Sequence, residues 1–140
     1  MTISISRALL NRILADAAKD SGAERCGLLL GEAARICDVR FAANVAPEPA
    51  CHFELDPAVL LDAHRTARNG GSRVVGHYHS HPSGKAVPSS IDAECAAPDG
   101  SLWLIVADAQ ARLWRAVAKG PLHGRFRAET MEICGDVELA

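Results

Sequence analysis

His77, His79 and His81 occupy every second position of the chain. Alternate residues of an extended strand point to the same side, so this spacing puts three imidazoles on one face. Two imidazoles at adjacent same-face positions both reach one cation at the ~2.0–2.1 Å that zinc requires, and the next ligand of such a set is a carboxylate or a cysteine that the chain brings close. A lone histidine is ordinarily a core or surface residue, but three within five residues call for another explanation. Downstream, Pro82-Ser83-Gly84-Lys85-Ala86-Val87-Pro88 lets the chain fold back, and Pro88 holds Val87 extended just before a helix begins. Ser89 or Ser90 caps that helix. Ser89 and Asp92 stand three apart and project from the same side of a helical turn, so Asp92 can complete a His-His-Asp set, with two of the three histidines, and with Ser89 beside a fourth, open position. Capping alone accounts for a serine and an acid at a helix start. It does not account for the histidines.

The elements that must position these groups follow from periodicity and turn residues. Residues 3–19 carry apolar side chains at Ile5, Leu9, Ile13 and Ala17 with Leu10 and Leu14 beside them, one stripe of a helix that Ser4 or Ser6 caps. Residues 24–31 read as a short buried strand closed by glycine, residues 35–44 as its hairpin partner, and residues 52–55 as a brief strand ahead of a helix over 57–68 with Pro57 in its first turn. A strand over 73–79 leads into the proline-flanked loop and a short helix from Ser90 to about Ala97. Residues 101–107 are apolar enough for a strand buried on both faces, 113–117 alternate like a half-wet partner, and 123–132 resemble one more edge strand. This order describes an α/β (α+β) chain with a mixed β-sheet flanked by helices.

Composition narrows the classes of function. The chain has 140 residues, 49% hydrophobic and 23% charged, which fits one domain over residues 1–140 with a core large enough to need no structural metal. Fifteen Lys and Arg against seventeen Asp and Glu, with no basic run, argue against a nucleic-acid partner. There is no uncharged stretch of the ~18–20 residues that span a membrane and no charged start ahead of an apolar segment, so neither a membrane nor export is expected, and the expected compartment is the cytoplasm. Cys26, Cys37, Cys51, Cys95 and Cys134 contain no C-x-x-C pair and read as reduced, mostly buried thiols. Trp103 and Trp114 read as core, and Cys26 as packing rather than nucleophile.

His79-Ser80-His81, seven residues, Ser89, two residues and Asp92 together resemble the complete signature of the JAMM metallopeptidases, the MPN-plus branch of the MPN domain family. Glu24-Arg25-Cys26-Gly27-Leu28-Leu29-Leu30-Gly31 is similar to the E-x-C-G-L-L-x-G strand of the small prokaryotic members, Phe53-Glu54-Leu55-Asp56-Pro57 sits where they carry a comparable segment, and the likeness runs over about residues 5–118. It implies an MPN/cytidine-deaminase-like fold and one Zn2+ per chain held by His79, His81 and Asp92, with water in the fourth position. By the same resemblance Ser89 supports the oxyanion and Glu24 is the general base. Glu32, Glu54 and Glu94 also lie near motif elements, but only Glu24 has the flanking Cys-Gly-Leu-Leu. His77 falls outside the signature and is expected behind the ligands or in the core. Arg73 and Lys85 are basic neighbours of the site.

The activity implied is a zinc metallopeptidase or isopeptidase, a JAMM-type hydrolase, cutting the amide bond after the C-terminal Gly-Gly of a ubiquitin-like or sulfur-carrier protein joined to cysteine, lysine or another amine. Such a tail can add as a strand beside an exposed sheet edge, and its glycines let the backbone pass close to the metal. At 140 residues there is little room for the insertions with which larger deubiquitinating relatives grip two ubiquitins. His81-Pro82-Ser83-Gly84 also resembles the RadC-type proteins, which are associated with DNA repair; against this, Ser80 stands where that group tends to carry Asn, and the N-terminal helical region expected there is missing. A non-catalytic MPN scaffold binding a partner protein generally loses ligand residues, whereas all five positions are present. A nucleobase deaminase would carry H-x-E and P-C-x-x-C, and neither occurs.

Overall fold

The computed structural model describes residues 2–82 and 84–135. In chain order they form β1 (Thr2–Ser6), α1 (Arg7–Ala17), β2 (Cys26–Glu32), β3 (Arg35–Ala42), α2 (Pro57–Arg68), β4 (Arg73–Ser80), α3 (Ser90–Cys95), β5 (Leu102–Ala107), β6 (Gln110–Gly120) and β7 (Gly124–Cys134). The sheet is mixed, as the element order predicts. Strand β1 runs parallel to β3 and β7, β4 parallel to β5, and the remaining neighbours pair antiparallel.

The sheet also closes on itself in the order β1-β3-β2-β4-β5-β6-β7, which corrects two expectations. Residues 3–6 are strand rather than the first turn of a helix. Ile5 fits a helical stripe with Leu9 and Ile13 equally well, but as alternating strand residues Ile3 and Ile5 are both buried in the core while their backbone pairs with β7 along Thr2–Ser6. Ser6, not Ser4, then caps α1, its Oγ accepting the Leu9 N–H at 3.1 Å. The tail after Gly120 is not an edge strand, because β7 is paired with β6 on one side and β1 on the other. Closure is thinnest between β1 and β3, which pair only at Ser4–Arg35 and Ile5–Ile36, so a strand-adding tail has far less open edge available than an open sheet would offer. Residues 52–55 form no strand of their own beyond an isolated bridge from Leu55 to Asn44.

Strand β5 is buried at every position because both its faces are covered. Leu102, Leu104 and Val106 pack with Ile3, Ile13, Leu29 and Tyr78 beneath α1. Trp103, Ile105 and Ala107 pack with Trp114 and Phe126 on the opposite face, as the core reading of both tryptophans anticipates. Asp16, in the buried stripe of α1, is fully partnered: it accepts the Tyr78 hydroxyl at 2.7 Å and the Arg25 guanidinium at 2.8 Å. A charge-assisted network of this kind offsets the cost of burying the acid and fastens α1 to the ends of β2 and β4.

The glycine at position 76 is required by close approach. A Cβ there would collide with the Leu102 backbone carbonyl across the β4–β5 pairing. Gly76→Ala is therefore expected to lower stability by about 3 kcal/mol or more, beyond the usual cost of overpacking; an unchanged denaturant midpoint would show that the strands separate freely.

Only Cys26 is buried; Cys37, Cys51, Cys95 and Cys134 are exposed. The expectation of mostly buried thiols fails because these four sit on outward-facing strand positions, a loop and a short helix end. Burial pushes the Cys26 thiol up to about 11. Since the thiolate is the reactive form, iodoacetamide at about pH 8 is expected to modify the four exposed cysteines of the native protein and to reach Cys26 only after denaturation. Mass spectrometry of the adducts checks this. No helix among the described residues is long and apolar enough to cross a membrane.

A candidate metal centre at the end of strand β4

The antiparallel register of β2 and β4 sets Cys26 opposite His79. It continues one step beyond both strands: Ser80 N–H donates to the Arg25 carbonyl at 2.9 Å, and Arg25 N–H donates to Ser80 Oγ at 2.8 Å. One further step brings Glu24 beside His81, 57 positions away in the chain. His81 lies past the end of β4, yet its N–H still donates to Val106 on β5 at 2.8 Å. The loop that follows is pinned from below by Trp114 Nε1–H, which donates to the Ala86 carbonyl at 3.1 Å, and His123 Nε2 lies 3.0 Å from the Pro88 carbonyl. That anchoring delivers α3 with Asp92 facing the histidines.

Three atoms converge. His79 Nε2 and His81 Nε2 are 3.1 Å apart, and Asp92 Oδ2 lies 3.4 Å from the first and 3.1 Å from the second. Ligands of a tetrahedral ion with ~2.0–2.1 Å arms are spaced by about 3.3 Å, so the triangle fits zinc. The chemistry of the donors agrees. His81 Nδ1 lies 2.8 Å from the Lys85 carbonyl, which only accepts, so Nδ1 carries the proton and the Nε2 lone pair is turned inward. His79 Nδ1 is 3.3 Å from His77 Nε2, which orients the second ring. Lone pairs directed at one point repel one another unless a cation occupies it.

Charge states reinforce this arrangement at His79; at His81 burial lowers the imidazole, but its closeness to Asp92 and to the Lys85 carbonyl outweighs burial and raises it. Burial lowers His79 and His77 below the usual imidazole range, the latter strongly and helped by its proximity to His79. Neutral imidazole is the metal-binding form. For Asp92, burial raises the carboxyl but is outweighed by its closeness to His79 and His81 and by the Ser89 N–H that it accepts, which hold it far below the ordinary range.

Ser89 and Asp92 form a reciprocal capping box, with Asp92 N–H donating to Ser89 Oγ at 3.0 Å and Ser89 N–H to Asp92 Oδ2 at 2.9 Å. Capping and ligand placement are thus one device. The Ser89 hydroxyl, an acceptor in that box, keeps its own proton to donate elsewhere.

Glu24 is 5% exposed, and its Oε1 is buried with no hydrogen-bond partner among the described residues. Burial pushes its carboxyl up to about 7, against the lowering effect of His81. A carboxylate oxygen of Glu24 also lies within 4.8 Å of the His79 and His81 nitrogens, so two acids compete for the role of third ligand. Asp92 is the closer, and its Oδ2 is already held in place by hydrogen bonds. Glu24 stands farther back with an unsatisfied oxygen, an expensive arrangement for a buried acceptor unless a reactant or water completes it.

His77, expected behind the ligands or in the core, lies beside His79 on its Nδ1 side, away from the three converging atoms. Its ring packs against Trp103 at 4.3 Å and Phe53 at 4.7 Å. His77→Phe keeps that packing and removes the partner of His79 Nδ1, and is expected to weaken zinc binding ~10- to 100-fold. Competition with a chromophoric chelator reads this, and unchanged affinity would show that His77 only fills space. Arg73 is not a neighbour of the centre: it begins β4, six residues or roughly 20 Å from His79. Lys85 contributes its backbone carbonyl. Two participants were not anticipated. Phe53 stacks on His79 at 4.4 Å and 16°. Asn44 donates from Nδ2 to the Glu24 and His52 carbonyls, each at 2.9 Å, clamping the segment that carries Glu24 to the next loop. The Phe53 segment was visible as a family likeness; Asn44 left no signal.

Residues 6–117 match the family described as prokaryotic homologs of the JAB domain. The chain belongs to this family. Among relatives of this JAB-domain protein is the desampylase of Haloferax volcanii, 37% identical over 99 residues that cover 69% of this chain and 71% of that one. A probable TtuB-protein conjugate cleaving protease of Thermus thermophilus is 32% identical over 94 residues, covering 66% and 62%. The solution structure of a protein from Desulfitobacterium hafniense shares the fold, with a TM-score of 0.81 at 24% identity over 99% of this chain and 96% of that one.

Proposed function

We propose that this JAB-domain protein is a zinc-dependent isopeptidase that hydrolyses the amide bond following the Gly-Gly terminus of a ubiquitin-like or sulfur-carrier protein. The observation that supports it most is the pairing of the His79, His81, Asp92 triangle, at 3.1–3.4 Å, with an unpartnered buried oxygen of Glu24. The relatives named as a desampylase and a conjugate cleaving protease supply the substrate class.

His79, His81 and Asp92 would hold the zinc, which when bound would supply Lewis acidity toward a carbonyl oxygen and toward water. Glu24 takes the proton of the attacking water on its free oxygen and returns it to the leaving amine, for which a carboxyl raised by burial toward neutral pH is suited. The Ser89 hydroxyl donates to the oxygen that gains charge as the carbonyl becomes tetrahedral. Lys85, through its carbonyl, and His77 hold the two rings in the tautomer and orientation that ligation needs. Phe53 and Trp103 keep the His79 side of the centre apolar, which strengthens the electrostatic interactions within it.

The test is a carrier protein joined through Gly-Gly to a lysine ε-amine. Release of the intact carrier with a free C-terminal Gly-Gly, lost with a chelator and restored by zinc, is the expected result. Chelator-insensitive release, or cleavage at another bond, would contradict the reading.

A further inference from the structure

The loop that clamps Glu24 carries a second cluster of metal-binding side chains that the proposed hydrolysis does not use. Glu48, Cys51 and His52 offer ligand atoms that all lie within 4.8 Å of one another. Cys51 Sγ is 3.2 Å from His52 Nδ1 and 3.9 Å from Glu48 Oε2. In a tetrahedral site with a Zn–S bond of about 2.3 Å and Zn–N or Zn–O bonds of ~2.0–2.2 Å, sulfur stands about 3.5 Å from the other ligands; the observed separations bracket that spacing.

The arrangement is held by the backbone. The Cys51 and His52 N–H groups both donate to the Glu48 carbonyl, at 3.2 and 3.0 Å, a turn that places positions 48, 51 and 52 together. Pro47 and Pro49 stiffen it. The Pro49 carbonyl accepts the Glu24 N–H at 2.6 Å, and the His52 carbonyl accepts Asn44 Nδ2, so the turn is moored at both ends and little ordering is left for an ion to impose. Glu48 and Cys51 are exposed and His52 half-buried, leaving room for water as a fourth ligand.

We propose that Glu48, Cys51 and His52 form a second metal site, selective for a thiophilic divalent cation such as zinc or cobalt(II). Its donor set differs from that of the catalytic triangle, which holds only nitrogen and oxygen; a thiolate favours softer ions. On binding, the Cys51 thiol loses its proton to solvent and a sulfur–metal bond forms, with no change of oxidation state.

Cobalt(II) distinguishes the two sites, since only a sulfur ligand gives a thiolate-to-cobalt charge-transfer band. Cobalt(II) titrated into the protein freed of metal by a chelator is expected to raise such a band, saturating by two equivalents, one for each site. Cys51→Ala is expected to abolish it, His52→Ala to shift its midpoint at least tenfold toward higher cobalt, and Cys95→Ala, at another exposed thiol, to leave it intact. Cys51 and Cys95 are exposed and His52 is half-buried in a turn held by backbone hydrogen bonds, so the variants fold. Absence of a band in the wild-type protein, its survival in Cys51→Ala, or an unmoved midpoint in His52→Ala would each overturn the proposal, and none of these results bears on hydrolysis at the other centre.

Discussion

Glu24→Gln is expected to keep its tightly held zinc and to lose ~10²- to 10⁴-fold in kcat, the range for removing a positioned general base. The substitution preserves shape and burial but removes the capacity to take a proton, and the amide finds no more partners than the carboxylate does in a pocket where Oε1 has none. The measurement is kcat on a Gly-Gly lysine conjugate together with metal content after dialysis. Retained metal with lost turnover separates base from ligand. If the variant lost zinc in proportion to activity, Glu24 would be the third ligand that its distance of less than 4.8 Å from both histidines permits, and the assignment of Asp92 would fall.

Asp92→Asn and Asp92→Ala form the second large effect, and comparing them isolates ligation from capping. In either variant zinc affinity is expected to drop by on the order of 10² or more, above the loss from disturbing an outer partner of a ligand. Asn retains an acceptor oxygen for the Ser89 N–H, now 2.9 Å from Asp92 Oδ2, so its unfolding midpoint should stay near that of the apo wild-type protein. Ala gives up the reciprocal box as well and should unfold more readily by about 1 kcal/mol. Equal zinc content in wild type and Asp92→Asn would mean that the aspartate only caps α3.

Much of the centre was legible because its parts are local. The strand spacing of His79 and His81 and the helical spacing of Ser89 and Asp92 are short-range patterns that survive whatever the rest of the chain does. Glu24 was legible only through its Cys-Gly-Leu-Leu flank; its place beside His81 depends on the β2–β4 register, which pairs Cys26 with His79 and which no local pattern specifies. Barrel closure was not legible for the same reason. Ile3 pairs with Met131 and Ile5 with Ile133, and Ile5, two residues after Ile3 and four before Leu9, satisfies either period until those distant partners are present. Asn44 and Phe53 were missed as site residues because a loop's own residues do not announce what they will bridge. The cysteines mislead differently: Cys26 and Cys37 sit on neighbouring paired strands, and which face each meets is decided by register alone.

The central claim is that His79, His81 and Asp92, and not Glu24, hold the ion. Anomalous diffraction at the zinc absorption edge, from crystals of the protein loaded with zinc, tests it most directly. The account predicts a peak ~2.0–2.1 Å from His79 Nε2, His81 Nε2 and an Asp92 carboxylate oxygen, with the Glu24 oxygens beyond bonding distance. A peak bonded to Glu24 in place of Asp92, or no peak between the two histidines, would contradict it.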